Sequence, residues 1–181
     1  HDTTLSAIIL ACSRRIDNDT NRVFYSSASE TRYYTPDNSL TLFCIDDILS
    51  ISEIQTLSSS SAGSRTYGYT WSVNDYDLEP YYGPPYFRIV TNPTGRYAFP
   101  KTKRSTKVTG VFGYCETGGH PDAIREACIL MAARLFERQK APLGVTAGND
   151  MTQSVSIMKT DPDVGMLLWP YRKMDIVHGR W

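Results

Sequence analysis

The fold is decided by residues 107–140, which read KVTGVFGYCETGGHPDAIREACILMAARLFERQK. The first part predicts a β-strand at 106–114, because side chains of two kinds alternate along it, as they do on the two faces of a sheet. These faces are Lys107, Thr109 and Val111 against Val108, Gly110 and Phe112. The glycine-rich link that follows predicts a tight turn, which leads directly into a helix.

The helix predicted at 121–140 carries more apolar residues than one contact face needs. It begins at Pro121, whose missing amide is harmless in a first turn, and ends in Arg138 and Lys140, whose charges suit the helix dipole. Its apolar side chains are Ile124, Ala127, Cys128, Ile129, Leu130, Met131, Ala132, Ala133, Leu135 and Phe136. We therefore expect this helix to be central and packed on more than one side.

Two further helices are predicted, near 4–17 and 162–169. The first should end near DNDTN, since Asn and Asp favour turns, and the last must end before Pro170. Their predicted inward residues are Leu5, Ile8, Ile9, Cys12 and Ile16, and Val164, Leu167 and Leu168. The first helix is too short to be stable alone. It should therefore pack on 121–140, with Ile8 and Cys12 near Cys128 and Met131.

Between the first two helices the pattern changes to short runs rich in Tyr, Thr, Val, Ile and Phe. The predicted strands are 31–35, 40–45, 51–57, 66–72, 86–91, 96–99 and 106–114, and SSSSAG at 58–63 predicts a hairpin tip. The predicted fold class is α+β, a small helical core with an inserted antiparallel β subdomain. The expected domains are 1–22 with 115–181, which hold the helical core and a C-terminal tail, and 23–114, the β insertion.

Composition excludes several classes of protein. The 19 basic and 19 acidic side chains cancel, which argues against tight non-specific DNA binding. No apolar run is long enough to span a membrane, and no signal-peptide pattern is visible. We expect a product made in the cytoplasm, from which residues before His1 could have been lost.

Candidates for catalysis and metal binding are few, and we predict no catalytic, cofactor or metal site. The four cysteines, Cys12, Cys44, Cys115 and Cys128, form no C-x-x-C pair, and Cys115 with His120 supplies at most half a ligand set. Asp46, Asp47 and Glu53 would need a further partner to hold a cation. The dense tyrosines of the β region are typical of core and protein contact, with ligand stacking as the alternative.

Several segments, in order, resemble the head–tail connector, or adaptor, proteins of tailed bacteriophages, in the longer class with a β insertion. They are LSAIILACSRRIDNDTNRVFY, IDDILSISEI, DYDLEPYYGPPYFRIV, KVTGVFGYCETGGHPDAIREACILMAARLFERQK and DPDVGMLLWPYRK. The resemblance implies a virion protein without enzymatic activity at the head–tail interface. It implies a closed ring, of 12 copies, that binds the portal protein and the next neck or tail-completion protein while DNA passes through its lumen.

Two sets of candidate interface residues follow. Exposed charges on the long helix could join copies in the ring: Arg125, Glu126, Arg134, Glu137 and Arg138. The tail WPYRKMDIVHGRW could anchor in the portal through Trp169, Tyr171, Arg172, Lys173, Ile176, Val177, Arg180 and Trp181. The same residues could instead form an ordinary solvated helix face and a tail folded on its own domain. Two other functions remain open, a tail-completion or neck protein one layer further down and a glycan-binding β module.

Overall fold

The structure is a computed structural model that describes residues 2–43, 45–61, 64–116, 118–140 and 161–173. These residues form two compact units. The helical unit holds residues 2–21, 120–140 and 161–173, and the β unit holds the residues between 22 and 119. The fold class is α+β, as predicted. No helix in the described residues is both long and apolar enough to cross a membrane.

In the described residues, the helical unit contains three α-helices, α1 (Asp2–Thr20), α2 (Asp122–Lys140) and α3 (Pro162–Leu168). Helix α2 is central, since both α1 and α3 pack against it. Between α1 and α2, Ile8, Cys12 and Ala132 form a buried cluster, against which Cys128, Met131 and Phe136 pack. The predicted pairing of the two helices through Ile8, Cys12, Cys128 and Met131 is confirmed.

Helix α1 is longer than the predicted 4–17 because its polar end is stabilised locally. The two aspartates expected to stop it each pair with an arginine one turn earlier, in Arg14–Asp17 (3.0 Å) and Arg15–Asp19 (2.9 Å). The Thr20 hydroxyl donates to the Ile16 carbonyl at 2.8 Å. The helix ends where Asn21 adopts a left-handed φ of 53°.

Helix α3 begins at a capping aspartate and is joined to α2 by charge. The Asp161 carboxylate accepts the Asp163 backbone N–H at 3.0 Å, which satisfies a first-turn donor. Arg134 of α2 forms an ion pair with Asp161 and lies 3.8 Å from Asp163. The helix ends at Leu168, and a 3-10 turn at Trp169–Tyr171 carries the chain past Pro170.

The β unit contains nine strands in three antiparallel sheets. The strands are β1 (Glu30–Tyr34), β2 (Thr41–Leu42), β3 (Ile48–Thr56), β4 (Ser59–Ser61), β5 (Ser64–Thr66), β6 (Tyr69–Thr70), β7 (Tyr76–Glu79), β8 (Arg88–Thr91) and β9 (Thr106–Phe112). Their orders are β1-β9-β3-β6, β2-β8-β7 and β4-β5. A core among the described residues of the unit is formed by Leu42, Ile45, Ile48, Ile54, Trp71, Ile89, Phe99, Val108 and Phe112.

Strand β9 lies between β1 and β3 and shows the predicted alternation. Every second residue from Thr106 to Phe112 is buried. Gly110 is needed at this centre, since a Cβ there would lie 2.2 Å from the Ser50 carbonyl oxygen. A tight turn then follows at Gly113, whose φ is 141°.

One predicted strand is wrong and one strand was not predicted, for reasons that depend on tertiary structure. The predicted strand 96–99 is irregular, although Phe99 is buried and stacks on Trp71 with ring centroids 4.6 Å apart. Strand β7 lies outside the predicted strands, and just before it Asp75 accepts backbone N–H groups of Ser72 at 2.7 Å and Arg96 at 3.0 Å. This carboxylate holds the 3-10 turn before β7 against a distant loop.

Candidate functional site

The predicted tail anchor begins on an exposed surface of the helical unit. Trp169 is 66% exposed, and the Arg172 guanidinium lies 5.6 Å from the centre of its ring. The Lys173 backbone N–H donates to the carbonyl of Thr20 at 2.8 Å, so this segment is fixed to the end of α1. Tyr171 is half-buried. The other predicted tail residues, Ile176, Val177, Arg180 and Trp181, lie outside the described residues.

The predicted ring charges lie on α2 but do not form one group. All five are exposed: Arg125, Glu126, Arg134, Glu137 and Arg138. Arg125 pairs at 2.8 Å with Asp122 of the same helix, and both side chains are largely in solvent. Arg134 differs, since it pairs with Asp161 at the start of α3. Its contact within the unit gives it a role in holding α3.

The exposure of several apolar side chains on α1 and α2 was not predicted from the sequence. Leu5, Ile9 and Leu10 are 40%, 46% and 62% exposed, and Ile129 is 53% exposed. The inward direction predicted for Leu5 and Ile9 is therefore wrong, because only the side carrying Ile8 faces α2. Between the helices lies a groove of about 410 Å³ lined by Thr4, Ala7, Ile8, Ala11, Leu135 and Arg138. The small side chains of Ala7 and Ala11, one turn apart on α1, are the feature of the sequence that could have indicated this groove.

The tyrosines of the β unit divide between its core and its surface. Tyr34, Tyr76, Tyr86 and Tyr97 pack against the core. Tyr81 and Tyr82 project from the turn between β7 and β8 and are 75% and 92% exposed. Below them the Glu79–Arg88 ion pair measures 2.7 Å. A hydrogen bond to Glu79 and its negative charge raise the pKa of Tyr81.

The carboxylates considered for metal binding are engaged in other contacts. Asp47 is buried and pairs with Arg22 at 2.7 Å. Asp46 pairs with Arg32 at 2.7 Å and accepts a hydrogen bond from the Tyr34 hydroxyl at 3.0 Å. Burial and the adjacent Asp46 carboxylate raise the pKa of Tyr34. Across the described ranges, no three His, Cys, Asp or Glu residues are grouped to hold a metal ion.

The three described cysteines are not activated thiols. Cys12 is buried, and Cys115 and Cys128 are half-buried. Burial raises the pKa of each thiol, and the proximity of Cys128 raises that of Cys12 further. Reactive cysteines require the opposite shift, because the thiolate is the nucleophile. Cys115 instead contacts the Phe24 carbonyl at 3.2 Å, a contact within the β unit.

Comparison with solved structures identifies the fold along the whole chain. A chain in the neck of an empty gene transfer agent (GTA) particle, computed with C6 symmetry, matches with a TM-score of 0.61 and 16% identity, covering 100% of this chain and 83% of that one. A chain in the neck of the native particle, computed with C12 symmetry, matches with a TM-score of 0.56 and 14% identity, covering 98% and 86%.

A third match, with a chain of the native GTA virion, has a TM-score of 0.56 and 14% identity and covers 99% of this chain and 81% of that chain. No protein-family model matches the sequence, and comparison with curated proteins gives no match. The described fold is thus the fold of chains from GTA neck and virion particles. It agrees with the connector resemblance of the sequence.

Proposed function

We propose that the chain is a structural virion protein, a head–tail adaptor of a tailed phage or a phage-like particle. The observation that carries this proposal is the fold match to a neck chain, which extends over 100% of the sequence at a TM-score of 0.61. Such a protein acts through its surfaces and needs no catalytic group. The ion pairs of Asp46 and Asp47 and the raised pKa of the Cys12 thiol are in keeping with that role.

The adaptor would assemble as a closed ring, for which we propose 12 copies. Ring closure requires two different patches on each copy. The exposed Ile9, Leu10 and Ile129 support such a contact, because a neighbouring copy would remove them from water. The charges of Arg125, Glu126, Glu137 and Arg138 would set its register, while Arg134 would act indirectly by holding α3.

The portal protein would be the partner of the tail, through Trp169, Tyr171, Arg172 and Lys173 and the residues beyond them. Trp, Tyr and Arg are the side chains that most often dominate protein interfaces. The exposure of Trp169 and its contact with Arg172 support this assignment.

The next neck or tail-completion protein would bind the ring on its other side, and DNA would pass through the lumen without tight capture. The host bacterial cytoplasm would be the place of synthesis.

Co-sedimentation with purified portal rings tests the proposal. The full chain should bind the portal, and deleting residues 174–181 should abolish binding while leaving the far-ultraviolet circular dichroism unchanged. Trp169→Ala should weaken binding in the otherwise complete chain. Full portal binding by the truncated protein would contradict the tail anchor and move the docking surface to the helices.

Two other outcomes would identify the alternatives. A chain that does not bind the portal ring but binds an assembled portal–adaptor complex would be a neck protein one layer further down. A chain that binds neither assembly but is retained on a polysaccharide column would be a glycan-binding module.

A further inference from the structure

The neutral net charge conceals a strong segregation of charge in the β unit. No acidic residue occurs between Pro80 and Cys115, a stretch with six basic residues: Arg88, Arg96, Lys101, Lys103, Arg104 and Lys107. Three of these have acidic neighbours. Arg88 pairs with Glu79, Lys107 lies 3.8 Å from Glu53, and Arg96 lies close enough to Asp75 to lower the pKa of that carboxylate.

The other three basic residues lie together at 101–104, which we call the basic loop. Lys101, Lys103 and Arg104 are all exposed. In the part of the chain that the structure describes, none of them forms an ion pair. The basic loop therefore presents an exposed group of positive charges.

The basic loop is held in place by its backbone rather than left as a loose tip. Arg104 has a left-handed φ of 55°, which is uncommon for a residue with a side chain. Its backbone N–H donates to the Thr35 hydroxyl at 2.9 Å, and its carbonyl accepts the Tyr67 hydroxyl at 2.7 Å. The next residue, Ser105, donates its hydroxyl to the Pro100 carbonyl at 2.5 Å. Such constrained conformations persist where surrounding contacts fix them.

An aromatic pair orients the arginine of the loop. The Arg104 guanidinium lies 4.9 Å from the ring centre of Tyr33, and the Tyr33 and Tyr67 rings are 5.5 Å apart. Stacking on an aromatic face leaves the edge donors of a guanidinium available to a further partner. Arg104 is thus positioned while it remains exposed to solvent.

We propose that the basic loop contacts the phosphate backbone of duplex DNA. Its exposed groups are lysines, an arginine and the Thr102 hydroxyl, which are among the donors that proteins use for phosphate oxygens. A protein partner fits less well, since lysine is depleted in protein interfaces and the basic loop has no apolar side chain to form an interface core. This inference rests on the proposed neck function, which makes DNA the polyanion that passes every copy.

The contact would be weak in one copy and sequence-independent. Each neutralised phosphate steepens the dependence of log K on log salt by about 0.9, so three or four contacts are lost readily as salt rises. A ring repeats the basic loop once per copy. The DNA would then make many brief contacts around the ring, which is compatible with passage.

The test measures binding of the full chain to a fluorescent duplex by anisotropy, from about 50 mM to about 200 mM salt. Lys101→Gln with Lys103→Gln should weaken binding at the lowest salt about ten-fold and lower the salt slope by about 2. The matched control is Arg14→Gln with Arg15→Gln, which removes the same charge from α1 and should change binding less than about two-fold. Adding Arg104→Gln to the loop variant should remove most remaining binding.

The outcomes separate this inference from the neck function itself. No salt-sensitive duplex binding by the wild-type chain, or equal loss in the loop and control variants, would overturn the basic loop as a DNA contact. The inference would also be overturned by a loop variant that still binds DNA but no longer binds a neck protein. That result would identify an acidic protein as the partner of the basic loop. Portal co-sedimentation of the same variants tests the neck function separately, and the loop variant should retain it.

Discussion

The two units differ in the size of the buried apolar clusters that hold them together. In the described part of the β unit, nine buried hydrophobic residues form one core, with aromatic side chains packed around it. In the helical unit, the cluster between α1 and α2 buries Ile8, Cys12 and Ala132, while Leu10 and Ile129 remain more than half exposed. The β unit thus has the larger core, although it too exposes apolar side chains, such as Leu40 at 60% and Val73 at 74%.

The largest effect is expected from truncation in the β core. Phe112 is 1% exposed, and the Arg32 guanidinium lies 4.1 Å from its ring centre. Phe112→Ala should reduce the free energy of unfolding by about 3–5 kcal/mol, measured by urea denaturation. Tyr82→Ala is the control, since its 92% exposed ring should contribute less than about 0.5 kcal/mol. Similar losses in both variants would contradict the single-core description.

A smaller effect is expected from a charge placed in the helical cluster. Met131 packs against that cluster but is only half-buried, so the new carboxylate in Met131→Asp retains some water. The variant should lose about 1–3 kcal/mol of unfolding free energy. An unchanged melting temperature would show that α2 is not the central helix of its unit.

A pH-dependent effect is expected at Asp75. Hydrogen bonds from the backbone N–H groups of Arg96 and Ser72 lower the pKa of Asp75 below its ordinary value. A lowered folded-state pKa stabilises the protein above the ordinary aspartate range, and this stability is lost as pH falls through the folded value. Asp75→Asn should therefore lower the melting temperature at neutral pH and bring it closer to wild type in acid. A constant difference across pH would contradict this, and Asp37→Asn, in an exposed loop, is the control.

The smallest change in monomer stability is expected on the exposed face of α1. Leu10 is 62% exposed, so Leu10→Asp should alter the unfolding free energy by less than about 0.5 kcal/mol. We expect the same variant to abolish ring formation in sedimentation velocity, because a charge would enter the contact between copies. Exposed Thr3→Asp on the same helix is a control for added charge. Wild-type assembly by Leu10→Asp would show that Leu10 lies outside the contact between copies.

Periodicity predicted the three helices and the alternation of β9 because those signals are local. It could not decide which side of α1 faces α2, since Ile8 and Ile9 are equally apolar and only the first meets a partner. It did not predict strand β7, which follows a turn held by the hydrogen bond from Arg96 to Asp75, twenty-one residues away. The domain limits at 22 and 115 and the interface residues stay predictions. The basic loop could have been found from the absence of acidic residues between Pro80 and Cys115, but the net charge of the whole chain does not show this local excess.

The hydrogen bond between the Tyr114 N–H and the Val23 carbonyl, at 2.8 Å, joins the first and last segments of the β unit. The chain therefore enters and leaves this unit at neighbouring points, which is the arrangement that lets one domain be inserted in another. Replacing the segment between these two points would exchange the whole insert and leave the amino-acid sequences of the flanking helices unchanged.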